Sequence, residues 1–179
     1  MKKNKPKVKE LSEAGLKLIA QFEGFRGVVY ADVVGLWTVG YGHLLTKDEL
    51  TSGKIWLNKS ESISIKTGMT KKQGSQILKK DAGIAEAAVA KNVTVELNQD
   101  QFDALCSFVF NVGVGAFKKS TLLRVLNEGG FEHMPVQLRR WVYAAGKKIK
   151  GLEVRRSKEA RYFQGLSLAD YKVKTSWSY

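Results

Sequence analysis

The stretch QFEGFRGVVYADVVGLWTVGYGH, Gln21–His43, decides how the chain folds. Just upstream, LSEAGLKLIAQFEG reads as a helix, with Ser12 as N-cap and Leu11 and Leu16 placed to form a hydrophobic staple. Leu16, Ile19, Ala20 and Glu23 recur at helical spacing, so the Glu23 carboxylate lies on the stripe that faces the core. Gly24 and Gly27 end the helix. The β-branched and aromatic runs VVY and LWTVGY then flank a turn near Gly35, which predicts a hairpin.

Working outward, residues 45–69 carry only weak strand signals near Ile63 and Ile65, and a small sheet is expected there. From Thr70 the texture becomes helical. Thr70 with Gln73 makes a capping box for a long helix to about residue 91, and Asn98 with Gln101 opens another over FDALCSFVFNVG. Ser120 caps TLLRVLNEGG; a short helix is expected over 136–143 and a last one over 152–163. The fold class is therefore α+β: a β-containing part over about 24–69, then a helical part over about 70–165 that is joined by the N-terminal helix 12–23. Residues 1–10 read as a basic flexible arm and 166–179 as a tail.

The 179 residues favour one domain, which can divide into two lobes, with 44% hydrophobic content, enough for a core without staples. A single cysteine excludes an internal disulfide, and two distant histidines argue against a protein-built zinc site. No metal or cofactor is expected. The net charge of +13 draws the protein towards polyanions such as nucleic acid, anionic lipid or envelope polymers, without choosing among them. No run of about 18 apolar residues exists, so no transmembrane segment is expected. MKKNKPKVKE has the basic start of a signal peptide, but no apolar region follows it, so no cleaved export signal is expected.

Cleaving a glycosidic bond needs a proton for the leaving oxygen and a second carboxylate to activate water or attack the sugar. Glu23, at a helix end on an apolar face among glycines, suits the first role; Asp32, before a turn, suits the second. The Thr38 hydroxyl could hold a water. Each residue also has a plainer explanation: a solvated helix-end Glu, an Asp of turn chemistry, a Thr of β-propensity.

EGFRGVVYADVVGLWTVGYGHLLT resembles the catalytic segment of the phage-type (T4-like) lysozyme and endolysin family: Glu, eight residues, Asp, five residues, Thr, then Gly-x-Gly-His. Glu23, Asp32, Thr38, Gly40, Gly42 and His43 all match that pattern. SFVFNVGVGAFKKSTLLRVL and WVYAAGKKIKGLEVRRSKEARYF extend the resemblance over most of 11–165. It implies a lysozyme-like fold of two lobes joined by the long helix, with the active cleft between them. It also implies hydrolysis of the β-1,4 bond between N-acetylmuramic acid and N-acetylglucosamine in peptidoglycan, for host cell lysis. In that family Glu23 would be the general acid, while Asp32 and Thr38 would position and activate water with inversion at the anomeric carbon. Leu44, Phe110 and Ser120 match sugar-contacting positions. Phe110 would serve equally as core and Ser120 as an N-cap. Arg155 matches an arginine near the catalytic Glu, where its charge would oppose protonation unless substrate desolvates the acid.

Other residues have simpler expectations. Cys106, in ALCSFVF, is read as a buried structural thiol, and His43 as a buried, hydrogen-bonded packing residue rather than a base. The four tryptophans are read as packing residues before sugar platforms. The arm, with Lys2, Lys3, Lys5, Lys7 and Lys9, could touch an anionic bacterial envelope; a specific nucleic-acid partner is not expected, and the family expectation is a monomer. Without an export signal, the protein would collect in the host cytoplasm and reach the wall after the membrane opens. Two alternatives stand beside the hydrolase. A lytic transglycosylase would leave Asp32 and Thr38 idle, and a non-enzymatic basic polyanion binder would leave the Glu23–Thr38 arrangement as accident.

Overall fold

The computed structural model describes residues 9–32 and 35–166. The arm at 1–10 falls outside the described residues except for its last two positions, and the tail at 166–179 except for its first. Contacts divide the chain into two units, one of residues 16–84 and the other, within the described residues, of 9–15 with 85–166.

In the first unit, helix α1 (Glu13–Glu23) leads into β1 (Arg26–Ala31), β2 (Trp37–Gly40) and β3 (His43–Leu44). Only the last eight residues of α1 belong to this unit. The three strands form an antiparallel meander in which Tyr30 pairs with Thr38, Thr38 with Leu44, and Val39 with His43. The expected hairpin around Gly35 is therefore present, and a third strand extends it. Burial along β2 does not alternate: Trp37 is exposed, while Thr38, Val39 and Gly40 are all buried. Next come α2 (Lys47–Ser52), β4 (Lys54–Trp56) and β5 (Ser62–Ser64), the last two forming an antiparallel hairpin. Val39, Ile55, Leu57, Ile63 and Ile77 form this unit's core, with Val29, Leu45, Ile65 and Met69 packed around it.

Helix α3 (Lys71–Asn92) starts at the expected box, where the Gln73 amide donates to the Thr70 hydroxyl at 3.3 Å and the Thr70 amide donates to the Gln73 side chain at 2.8 Å. Its residues 71–84 belong to the first unit and 85–92 to the second. The second unit is built on α4 (Gln99–Val112), whose residues Phe102 to Val109 are all buried. The Asn98–Gln101 capping box opens it as expected. Around it lie α5 (Val114–Lys118), α6 (Thr121–Asn127), α7 (Met134–Arg139) and α8 (Lys150–Phe163). Cys106 is fully buried among these side chains, and burial pushes its thiol pKa well up, so it is an inert core residue.

Several elements differ from the sequence expectation, two of them instructively. The helix expected over 136–143 ends at Arg139, and Tyr143–Ala144 instead pairs with Lys147–Lys148 as the hairpin β6–β7. The turn there needs left-handed backbone at Ala145 (φ 48°) and Gly146 (φ 75°), which no helix tolerates. Helix α2 has no apolar stripe to announce it; its signal is the Thr46–Glu49 capping box.

Helix α8 is polar by composition yet packs against both α4 and α7. Glu159, fully buried, accepts from Arg155 Nε at 3.1 Å, from the Ser107 hydroxyl at 2.7 Å and from the Arg156 guanidinium. Arg156 also reaches the Trp141 carbonyl at 3.2 Å and the Asn111 side chain, and its guanidinium lies 4.9 Å from the Phe108 ring centre. Burial raises the Glu159 pKa, while the two guanidiniums pull the other way.

The start of α1 is fixed with equal care. Buried Asp103 accepts from the Ser12 amide at 3.1 Å, from the Ser12 hydroxyl, and from Gln99 Nε2 at 2.9 Å. The Ser12 oxygen in turn caps Gly15 N–H at 3.0 Å. A Cβ on Gly15 would meet Asp103 Cγ at 2.5 Å and Leu11 Cδ1 at 2.7 Å. Alanine at a helical glycine ordinarily stabilises by about 0.5–1 kcal/mol. Here Gly15→Ala is expected to destabilise by about 1–3 kcal/mol through overpacking. Denaturant unfolding of the variant checks this; a gain in stability would contradict the close approach.

Candidate active site

Glu23 is the last residue of α1 and is half-buried. The chain leaves the helix through Gly24, whose left-handed φ of 68° lets its N–H reach Ala20 C=O at 3.3 Å. The carboxylate faces the β2–β3 turn: a Cβ placed on Gly42 would lie 3.9 Å from Glu23 Oε2. Gly42 has φ 84°, so a side chain there would be strained as well as aimed at the acid. Of the two glycines in Gly-x-Gly, Gly42 lies against Glu23, while Gly40 lies against Met69.

Asp32 and Thr38 are joined through Leu36. The Leu36 N–H donates to Asp32 Oδ1 at 2.8 Å, and the Leu36 carbonyl accepts the Thr38 hydroxyl at 3.1 Å. Two backbone bonds close the same loop, Asp32 N–H to Leu36 C=O at 2.9 Å and Gly35 N–H to Asp32 C=O at 3.0 Å. Asp32 is half-buried at the mouth of the hairpin and Thr38 is buried. Strand pairing then links Thr38 to Leu44, two residues beyond Gly42. Asp32 and Thr38 are therefore both fixed by the loop at Leu36, while Glu23, at the end of α1, faces the turn at Gly42 of the same meander.

The other sequence candidates are spread over both units. Leu44 is exposed on β3 in the first. Phe110, half-buried on α4, and Ser120 lie in the second. The Ser120 hydroxyl donates to Phe117 C=O at 2.7 Å and accepts from Leu123 N–H at 3.0 Å, so it serves as the N-cap of α6. Arg155, also in the second unit, is buried and holds Glu159 and the Ser107 carbonyl.

His43 has partners on both ring nitrogens. Nδ1 lies 2.9 Å from Asp81 Oδ2 on α3, and Nε2 lies 3.1 Å from Glu49 Oε2 on α2. A neutral imidazole can donate from only one nitrogen, so a carboxylate on each side favours the imidazolium. Burial alone would lower the His43 pKa, but the hydrogen bond and charge of Asp81, with those of Glu49, outweigh it and raise the pKa. Glu49 shifts down: burial would raise its pKa, but the Thr46 N–H and hydroxyl, then His43, outweigh that. The clasp ties β3, α2 and α3 together immediately after Gly42. Sequence reading placed His43 as a buried, hydrogen-bonded packing residue; it is hydrogen-bonded but half-buried, and neither carboxylate partner was legible, Asp81 being 38 residues away.

Solved structures with this architecture identify the fold as that of an α+β lysozyme. A mutant of P22 lysozyme superposes with a TM-score of 0.72 at 33% identity, covering 87% of this chain and 99% of that one. The muramidase domain of SpmX from Asticaccaulis excentricus gives 0.69 at 32% identity, covering 86% and 97%. Residues 20–159 match the profile described as phage lysozyme, and the chain belongs to the phage lysozyme family. Over 158 residues it is 34% identical to the endolysin of Acyrthosiphon pisum secondary endosymbiont phage 1, spanning 86% of this chain and 97% of that protein.

The clasp should be readable in stability against pH. The His43 pKa is raised above its ordinary 6.5, so its contribution is complete below pH 6.5 and is lost as pH climbs through the folded value. The Glu49 pKa is lowered below its ordinary 4.5, so its contribution is complete above pH 4.5 and is lost as pH falls through the folded value. His43→Gln should therefore cost about 1–3 kcal/mol between those limits, with the penalty shrinking in alkali. Unfolding of both proteins across a pH series measures it; a penalty that stays constant with pH would contradict a charged clasp.

Proposed function

We propose that Glu23, Asp32 and Thr38 carry the hydrolysis of peptidoglycan by this phage lysozyme. As a member of that family the chain is a peptidoglycan-hydrolysing endolysin, a glycosidase of the muramidase kind. Glu23 gives its proton to the oxygen of the departing sugar. Packing a sugar ring against the carboxyl removes water from it, and desolvation favours the neutral acid. Asp32, fixed by the Leu36 N–H, is the base that accepts a proton from the attacking water. The Thr38 hydroxyl orients that water while its own hydrogen points to the Leu36 carbonyl, which leaves the oxygen lone pairs as the acceptor. Water attack on the face opposite the leaving group inverts the anomeric carbon. Leu44, Phe110 and Ser120 are proposed to contact the glycan, and Arg155 to support the acid.

The observation that carries this assignment is the shared tether at Leu36, which holds a carboxylate and a hydroxyl of unrelated strand positions in one loop. A transglycosylase would need neither group. Among the described residues no helix is long and apolar enough to cross a membrane. For this chain the proposed route is accumulation in the host cytoplasm as a monomer, then access to the periplasm once the membrane is opened. The basic N-terminal arm lies outside the described residues except for positions 9 and 10, and its contact with the anionic envelope is part of the same proposal.

Glu23→Gln should lower the rate of solubilising purified sacculi by about 10²–10⁴ or more, with unfolding transitions unchanged. Asp32→Asn should lose activity on a similar scale, and Thr38→Val less. Reducing-end release, rather than anhydro-sugar ends, should accompany the activity. A Glu23→Gln protein that clears sacculi at the original rate would refute the assignment.

A further inference from the structure

The β4–β5 hairpin carries a feature that the catalytic residues do not use. Trp56, the last residue of β4, is 50% exposed, although its neighbours Ile55 and Leu57 are buried in the core. An open cavity of about 450 Å³ lies beside it, lined by Trp56, Leu57, Asn58, Lys59 and Lys80. None of Glu23, Asp32 or Thr38 lines it.

Hydrogen bonds hold the parts that line this concavity. Lys80, on α3, donates from Nζ to the Trp56 carbonyl at 2.7 Å, which holds its ammonium at the rim. Asn58 Oδ1 accepts from Ser60 N–H at 2.9 Å, the Ser60 hydroxyl at 3.0 Å and Glu61 N–H at 2.9 Å, so the hairpin turn is closed by its own side chain. The nearby acid, Glu61, has its Oε2 3.2 Å from Asn58 Nδ2. Leu57 N–H donates to Glu61 C=O at 2.9 Å and fixes the base of the turn. A half-exposed indole and two lysines, Lys59 and Lys80, thus line one concavity.

We propose that this concavity is an auxiliary peptidoglycan-binding site. One sugar ring lies on the Trp56 indole, and a carboxylate of the attached stem peptide pairs with Lys59 and Lys80. The inference rests on peptidoglycan being the substrate. An indole face presents a flat apolar surface to the C–H face of a pyranose ring, and the ammonium groups supply the opposite charge to a free carboxylate. A phosphate polyanion would use the lysines and leave the indole without a role. A second grip on the same polymer raises the local concentration of cleavable bonds without touching the bond being cut.

Binding to purified sacculi is measured in a Glu23→Gln background, so that cleavage does not erode the signal. Trp56→Ala should weaken binding about tenfold, in line with a buried aromatic anchor. Trp56→Phe, which keeps a flat ring, should retain most of it and guards against a folding defect in the alanine variant. Lys59→Ser should weaken binding about threefold on intact sacculi, the scale of an exposed ion pair, and not at all on glycan whose stem peptides have been removed by an amidase. Trp56→Ala binding within twofold of the parent would overturn the site. An undiminished Lys59→Ser effect on stripped glycan would overturn the stem-peptide assignment. Solubilisation of the same sacculi by the unsubstituted chain reports on the hydrolase reading separately.

Discussion

The proposed site depends on one residue's backbone. Leu36 donates its N–H to Asp32 and accepts the Thr38 hydroxyl, so a single peptide segment sets where a carboxylate and a hydroxyl point. Side chains fixed this way lose their rotamer freedom on folding rather than at the moment of reaction, which is the physical content of preorganisation. The same meander brings Gly42 beside the Glu23 carboxylate, where φ 84° favours glycine. His43 follows at once, held from both sides by Glu49 and Asp81, so the strand that follows the Gly42 turn is tied to two helices.

The second unit shows a different way of holding elements together. Helix α8 is too polar to dock by apolar burial alone, and instead buries two arginines and a glutamate against α4. Such a cluster is weak evidence for high stability, because desolvation offsets much of the Coulomb attraction. Its geometry is nonetheless demanding: Glu159 has a partner in Arg155, Arg156 and Ser107, and removing any one leaves buried charge or polarity unmatched. The register of α8 on α4 follows from that demand.

Legibility in the sequence tracked how local each determinant is. Helix starts at Ser12, Thr70, Asn98 and Ser120 are written within four residues and were readable, as was the hairpin around Gly35. Helix α2 was missed because its only signal is the Thr46–Glu49 box, with no apolar stripe behind it. The 136–143 helix was overextended because the β6–β7 turn depends on φ > 0 at Ala145, which its residue type does not announce. Glu23, Asp32 and Thr38 were nameable from spacing and family resemblance. The residues that position them were not: Leu36 acts through its backbone, and Asp81 and Glu49 reach His43 from other elements.

The most direct measurement is the anomeric configuration of the first product, followed by proton NMR before mutarotation, on a soluble peptidoglycan fragment. Under the proposed assignment, a water held by Asp32 and Thr38 attacks from the side opposite the leaving sugar, so the cleaved β bond should give an α reducing end. A β product would mean that a carboxylate, not water, attacks first, and would contradict the central assignment.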